Sequence, residues 1–84
     1  MKDDESIRKI ILTELIKENN NIKLEETDPL IESGIIDSLG IMKLITFLEE
    51  TFEITIDFDD LSPENLETVN AISMMVQKKL VMVK

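Results

Sequence analysis

Apolar residues recur at the helical interval in three stretches of this chain, and with 84 residues in all there is room for one small domain. Ile7, Ile10, Ile11 and Leu15 fall at i, i+3, i+4 and i+8, which predicts a helix over residues 4–18. Ile41, Leu44, Ile45, Leu48 and Phe52 repeat at i, i+3, i+4, i+7 and i+11 and predict a second helix over residues 38–52. From Thr68 onwards Val69, Ile72, Val76 and Leu80 trace a third stripe, where Lys78 and Lys79 suit the negative end of the helix dipole. Between Glu53 and Glu67, Ile54-Thr55-Ile56 is followed by Asp57-Phe58-Asp59-Asp60-Leu61 and then Ser62-Pro63-Glu64, which predicts a short helix or irregular turn. The expected fold is all-α, an antiparallel bundle of three longer helices and one short helix, in a single domain over residues 1–84.

One long connection interrupts this pattern. Asn19-Asn20-Asn21 ends the first helix, because asparagine side chains bond nearby backbone and compete with helix continuation. The segment from Asn19 to Asp37 carries two breakers, Pro29 and Gly34, and has no sustained period. Connections of this length in a compact domain are usually functional or packed against the body. Ile22, Leu24, Leu30, Ile31, Ile35 and Ile36 are apolar enough to pin it down, so it is expected to be an ordered loop.

Charge and composition remove several functions. The formal charge is −9, which repels nucleic acid phosphates and anionic lipid head groups, so partners are expected to be basic. The imbalance is also local: from Leu24 to Gln77 there are 13 acidic residues and one basic residue, Lys43. The chain has no cysteine and no histidine, which excludes a disulfide framework, a thiolate metal site and the usual general base. An enzyme is not expected. No apolar run approaches the roughly 18 residues of a spanning helix, and Met1-Lys2-Asp3-Asp4-Glu5 is too acidic for a signal or transit peptide. A cytoplasmic monomer is the expectation.

Ser38 is the residue that stands out. Asp37-Ser38 at a helix start is a capping pattern, since either side chain can accept a bond from a free amide of the first turn. The predicted second helix also places Leu39, Met42, Lys43, Thr46 and Glu50 opposite its core stripe, so two apolar residues face outward beside the serine. That is the pattern of a docking surface.

Four segments together carry a resemblance. Glu32-Ser33-Gly34-Ile35-Ile36-Asp37-Ser38-Leu39 comes first, and Leu48-Glu49-Glu50-Thr51-Phe52 closes the second helix. Ile54-Thr55-Ile56 and Ser62-Pro63-Glu64-Asn65-Leu66-Glu67-Thr68-Val69 follow. In this order and at these separations the chain resembles the acyl carrier protein family along essentially its whole length, and specifically its stand-alone acyl, aminoacyl or peptidyl carriers.

The resemblance implies an acyl-carrier-like four-helix bundle whose Ser38 is loaded with 4′-phosphopantetheine. In the family a phosphopantetheinyl transferase makes that attachment from coenzyme A with a magnesium ion. The carrier then holds an acyl or aminoacyl thioester for a ligase and downstream enzymes with basic docking surfaces. Asp37 is implied to assist beside the transferase metal, and Leu39, Met42, Lys43, Glu49 and Glu50 are implied to meet partners. The glutamates can equally be a solvated helix face, and Ile41, Ile45, Ile54 and Ile56 are core before they are a shelter for cargo.

Departures from the family pattern bear on the pathway. Carriers of primary fatty acid synthesis usually have acidic residues where this chain has Gly40 and Lys43, and a proline where it has Asp57. These differences tilt the resemblance toward a specialised biosynthetic pathway, and the Asp-Ser-Leu-Gly-Ile and Pro-Glu-Asn segments look like stand-alone aminoacyl carriers, including D-alanyl carrier proteins. Gly40 costs up to roughly 1 kcal/mol of helix propensity and suggests a close approach there, or is simply tolerated near the cap. A different class of reading is an unmodified acidic binding or regulatory module using Leu39 and Met42. Asp57, Asp59 and Asp60 could hold a cation only weakly, since the glycine turn and closing glutamate of a calcium loop are missing.

Overall fold

The computed structural model describes residues 4–19 and 22–82. Within them lie α1 (Asp4–Glu18), α2 (Ser38–Phe52), α3 (Pro63–Leu66) and α4 (Val69–Met82), with a 3₁₀ turn at Phe58–Asp60. There is no strand among the described residues. The all-helical expectation holds, and the region expected as a short helix or an irregular turn contains both.

In α1 the acidic Asp4 and Glu5 sit in the first turn and Lys17 in the last, in keeping with the dipole, and Ile7, Ile11 and Leu15 are buried. Asn19 closes the helix: its backbone N–H bonds the Ile16 carbonyl at 3.3 Å and its side-chain amide bonds the Leu15 carbonyl at 2.8 Å. Asn20 and Asn21 lie outside the described residues.

The loop that follows is pinned as expected, but by fewer residues. Leu24, Leu30 and Ile36 are buried and Ile22 and Ile35 half-buried, whereas Ile31 is exposed. The backbone explains the difference, because Ile31 lies inside a tight turn where the Ser33 N–H bonds the Pro29 carbonyl and the Gly34 N–H bonds the Ile31 carbonyl, both at 3.1 Å. Two further backbone bonds tie the loop to the other end of the chain. The Leu30 N–H donates to the Glu67 carbonyl at 2.8 Å and the Asn70 N–H to the Glu26 carbonyl at 3.2 Å.

Helix α2 buries Leu44, Leu48 and Phe52, while Ile41 and Ile45 are only half-buried and Phe47 packs partly against the core. The buried strip is thus narrower than the five-residue stripe, because its flanks meet solvent. Ile54 and Ile56 go into the core after it. α3 begins at Ser62, whose hydroxyl accepts from the Asn65 N–H at 3.3 Å, with Pro63 at the helix start. Thr68 caps α4 by accepting from the Ala71 N–H at 3.0 Å. α4 then contacts each of the other three helices through a face that buries Val69, Ile72, Met75 and Val76, with Leu80 half-buried at its end.

Ser73 is the one polar side chain buried in this face among the described residues. Its hydroxyl donates to Asp4 Oδ1 at 2.9 Å, and Gln77 Nε2 donates to the same oxygen at 2.8 Å. Arg8 pairs with Asp4 and, at 3.2 Å, with Glu26, so one polar cluster joins α1, the loop and α4. Burial of the serine is tolerated because its hydroxyl is bonded. No helix among the described residues is long and apolar enough to cross a membrane.

Candidate functional site

The long loop delivers Ser38 to the start of α2 through a sharp reversal. Gly34 has φ 81°, a left-handed conformation that a side chain would strain, and the Ile36 N–H then bonds the Leu30 carbonyl at 3.1 Å. With Ile36 buried and the loop closed on itself, Asp37 turns out at φ −108° and ψ −171° and becomes the N-cap. Its Oδ1 accepts from the Gly40 N–H at 2.8 Å, and its carbonyl accepts from the Ile41 N–H at 2.8 Å.

That arrangement decides between the two capping candidates. Asp37 does the capping, so Ser38 is the first helical residue, exposed, with its hydroxyl not spent on the cap. Gly40 fits the same geometry. A Cβ there would lie 3.3 Å from Asp37 Oδ1 and 3.7 Å from Ile36 Cγ2, so a larger residue presses on the capping carboxylate. The close approach suggested by the sequence comes from the chain itself.

Leu39 and Met42 are 65% and 63% exposed, and Lys43 and Glu50 are exposed with them, so these four lie together on the outer side of α2. Glu49 differs. It is half-buried on the shoulder of the helix, and its Oε2 accepts from the Ile56 N–H at 2.8 Å, which fastens the segment after α2. Its carboxylate therefore already has a structural partner.

The Asp57–Asp60 turn is closed off instead of presented. The Asp57 N–H donates to Asp60 Oδ2 and the Asp60 N–H to the Asp57 carbonyl, both at 2.9 Å, and Lys79 reaches over from α4 to Asp60 and, at 3.9 Å, to Asp57. The hydrogen bond from Lys79, then the one from the Asp57 backbone, hold the Asp60 carboxyl below its usual range; the same contact with Asp60 raises Lys79. Lys79 was expected only to complement the helix end. Its ion pairs across to another element carry no signal in local spacing. Among the described residues no three metal-ligating side chains converge.

Chemically, the end of α2 offers an exposed hydroxyl on a rigid helix, one adjacent carboxylate and an apolar face. An anion formed on that hydroxyl would sit at the positive end of a 15-residue helix. The chain has no histidine, the most frequent general base, and the Asp37 carboxylate beside the hydroxyl is engaged in the cap. The start of α2 thus presents an exposed hydroxyl beside a carboxylate that is already engaged in capping the helix.

Comparison with known proteins bears on the same region. Residues 7–76 match the family model described as the phosphopantetheine attachment site. The chain is 33% identical over 55 residues to a probable acyl carrier protein, PigG, of Serratia sp., an alignment covering 66% of this chain and 63% of that protein. It is 40% identical over 45 residues to the D-alanyl carrier protein of Streptococcus uberis, covering 54% and 57% of the two chains. With the D-alanyl carrier protein of Streptococcus suis it shares 34% identity over 62 residues, covering 74% and 76%. The first two alignments span less than two thirds of those relatives.

Proposed function

The chain belongs to the acyl carrier protein family and contains its phosphopantetheine attachment domain, and from that premise we propose that Ser38 is the attachment residue of a single carrier domain that holds an acyl or aminoacyl thioester. The observation that carries this reading is the division of labour at α2, where Asp37 caps the helix and leaves the Ser38 hydroxyl exposed. In loading, the Ser38 oxygen forms a bond to the phosphorus that carries pantetheine as that phosphorus parts from the adenosine bisphosphate of coenzyme A. The serine proton leaves to a base of the transferase. Asp37 assists at the transferase metal with the carboxylate oxygen that the cap does not use.

Carriers of this family are not enzymes and work with phosphopantetheinyl transferases and acyl-activating ligases. For this chain we assign partner contact to Leu39, Met42, Lys43 and Glu50, with Glu49 contributing from the shoulder of α2. The apolar pair supplies contact area, and the surrounding carboxylates meet basic enzyme surfaces. A specialised pathway fits Gly40 and Lys43, which stand where carriers of primary fatty acid synthesis usually have acids, and a carrier that visits several enzymes works as a cytoplasmic monomer. The names of the streptococcal relatives support D-alanine as one candidate cargo.

Intact-protein mass spectrometry tests the attachment. Purified protein is incubated with coenzyme A, magnesium and a broad-specificity transferase beside a Ser38→Ala variant. A gain of one phosphopantetheine on the wild type alone is the expected result. No gain on a folded wild type would favour an unmodified acidic binding module, in which Ser38 merely starts the helix.

A further inference from the structure

A cavity of about 250 Å³ opens between the last turn of α1 and the start of α2. Its depth is formed by the buried Leu15, Ile36 and Leu44 with the half-buried Ile35, and its mouth carries the exposed Glu18 and Lys43. The two residues that flank Ser38 in sequence, Asp37 and Leu39, border the same cavity. We propose that this groove seats the pantetheine arm, folded back from Ser38 against α1; the inference rests on Ser38 being the attachment residue.

The occupant follows from the tether and from the lining. A chain anchored between two residues that border the groove meets it at an effective concentration in the millimolar range or above, so a shallow site with few contacts is enough to hold it. A second copy of this protein has no such advantage and carries the same charge of −9. Pantetheine carries one gem-dimethyl carbon and a hydroxyl, then two amides separated by methylene pairs, and the groove offers aliphatic side chains together with the half-buried Glu14 beneath a polar mouth. Its volume corresponds to roughly eight waters at about 30 Å³ each, room for a stretch of the arm and not for the arm plus a long acyl chain. The thiol end and its cargo therefore project beyond the groove, and seating is independent of cargo. Leu39 belongs both to the border of the groove and to the exposed face of α2, so a partner that covers Leu39 also loosens the arm.

The test compares backbone amide NMR spectra of the apo and loaded protein, with loading checked by mass, and searches for nuclear Overhauser contacts from the methyl groups of the arm. Expected are contacts to Leu15 and Ile35 and shift changes at Leu15, Glu18, Ile35 and Lys43 comparable to those at Leu39, while amides around Ile10 and Phe47 stay in place. A Glu18→Trp variant, altered only at the exposed mouth, should load fully and lose those contacts. Complete loading of the wild type with changes confined to the neighbours of Ser38, and no contact to α1, would overturn the groove while leaving the attachment intact. Absence of any mass gain would instead take down the attachment reading, and the groove with it.

Discussion

Two aspartates, Asp37 and Asp57, each open a tight turn, and the molecule treats them in opposite ways. Asp37 accepts from the Gly40 N–H and leaves the next residue, Ser38, exposed at the start of a long helix. Asp57 is locked into a reciprocal pair with Asp60, and Lys79 then ties the turn to α4. One turn satisfies its backbone with a single side chain and keeps a hydroxyl available; the other spends its charges on holding the bundle together. Acidic residues in this chain are thus of two kinds, and their position in the sequence does not say which.

The largest expected difference between the turns is in loading. Ser38→Ala should abolish phosphopantetheine uptake while changing stability by no more than about 0.5 kcal/mol, as for an exposed residue outside a cap, whereas Lys79→Met should load at the wild-type rate. A thermal melt beside a mass assay reads both. Next in size is the cap. Asp37→Ala should cost about 0.5–2 kcal/mol in denaturant unfolding, while Asp37→Asn keeps the acceptor, stays near wild type in stability and loads more slowly. Equal loading rates for Asp37→Asn and wild type would remove the assisting role of the carboxylate.

A smaller effect is expected at the other turn. Lys79→Met should cost at most about 1 kcal/mol, since the pair is partly exposed to solvent. Because the Asp60 carboxyl is held below its ordinary value of 3.8, the stabilisation it gives is present above that pH and is lost as pH falls through its lowered value. Lys79 is held above 10.5, so its share is present below that pH and is lost as pH rises through its raised value. The Lys79→Met variant should therefore lose stability relative to wild type at neutral pH, and the gap should close at both extremes. The smallest change concerns the surface as a whole. Added salt should raise the melting temperature of a protein with charge −9 by screening its self-repulsion, and a flat response would contradict that view of the acidic face.

Much of this fold is legible in the sequence because helices advertise themselves locally. The spacing of Ile7, Ile11 and Leu15, and of Leu44, Leu48 and Phe52, places α1 and α2 at the observed limits. Ser38 stands out through its neighbours for the same reason. What stays hidden is long-range and polar. Asp4 meets Ser73 and Gln77 across nearly the whole chain, Lys79 finds Asp60, and Glu49 holds the Ile56 N–H. Such partners depend on how the helices pack, and a serine or glutamate in a helix carries no periodic mark of the contact it will make. Ile31 is the converse case, an apolar residue left in solvent by a turn.

The proposed attachment rests on Ser38, and no other hydroxyl, taking the arm. Proteolysis of the loaded wild-type protein followed by fragment-ion mass spectrometry locates the added mass among Ser6, Ser33, Ser38, Ser62 and Ser73. All of it is expected on Ser38, with none on Ser33, which is exposed in the loop just before α2. Mass on Ser33, or spread over several serines, would contradict it.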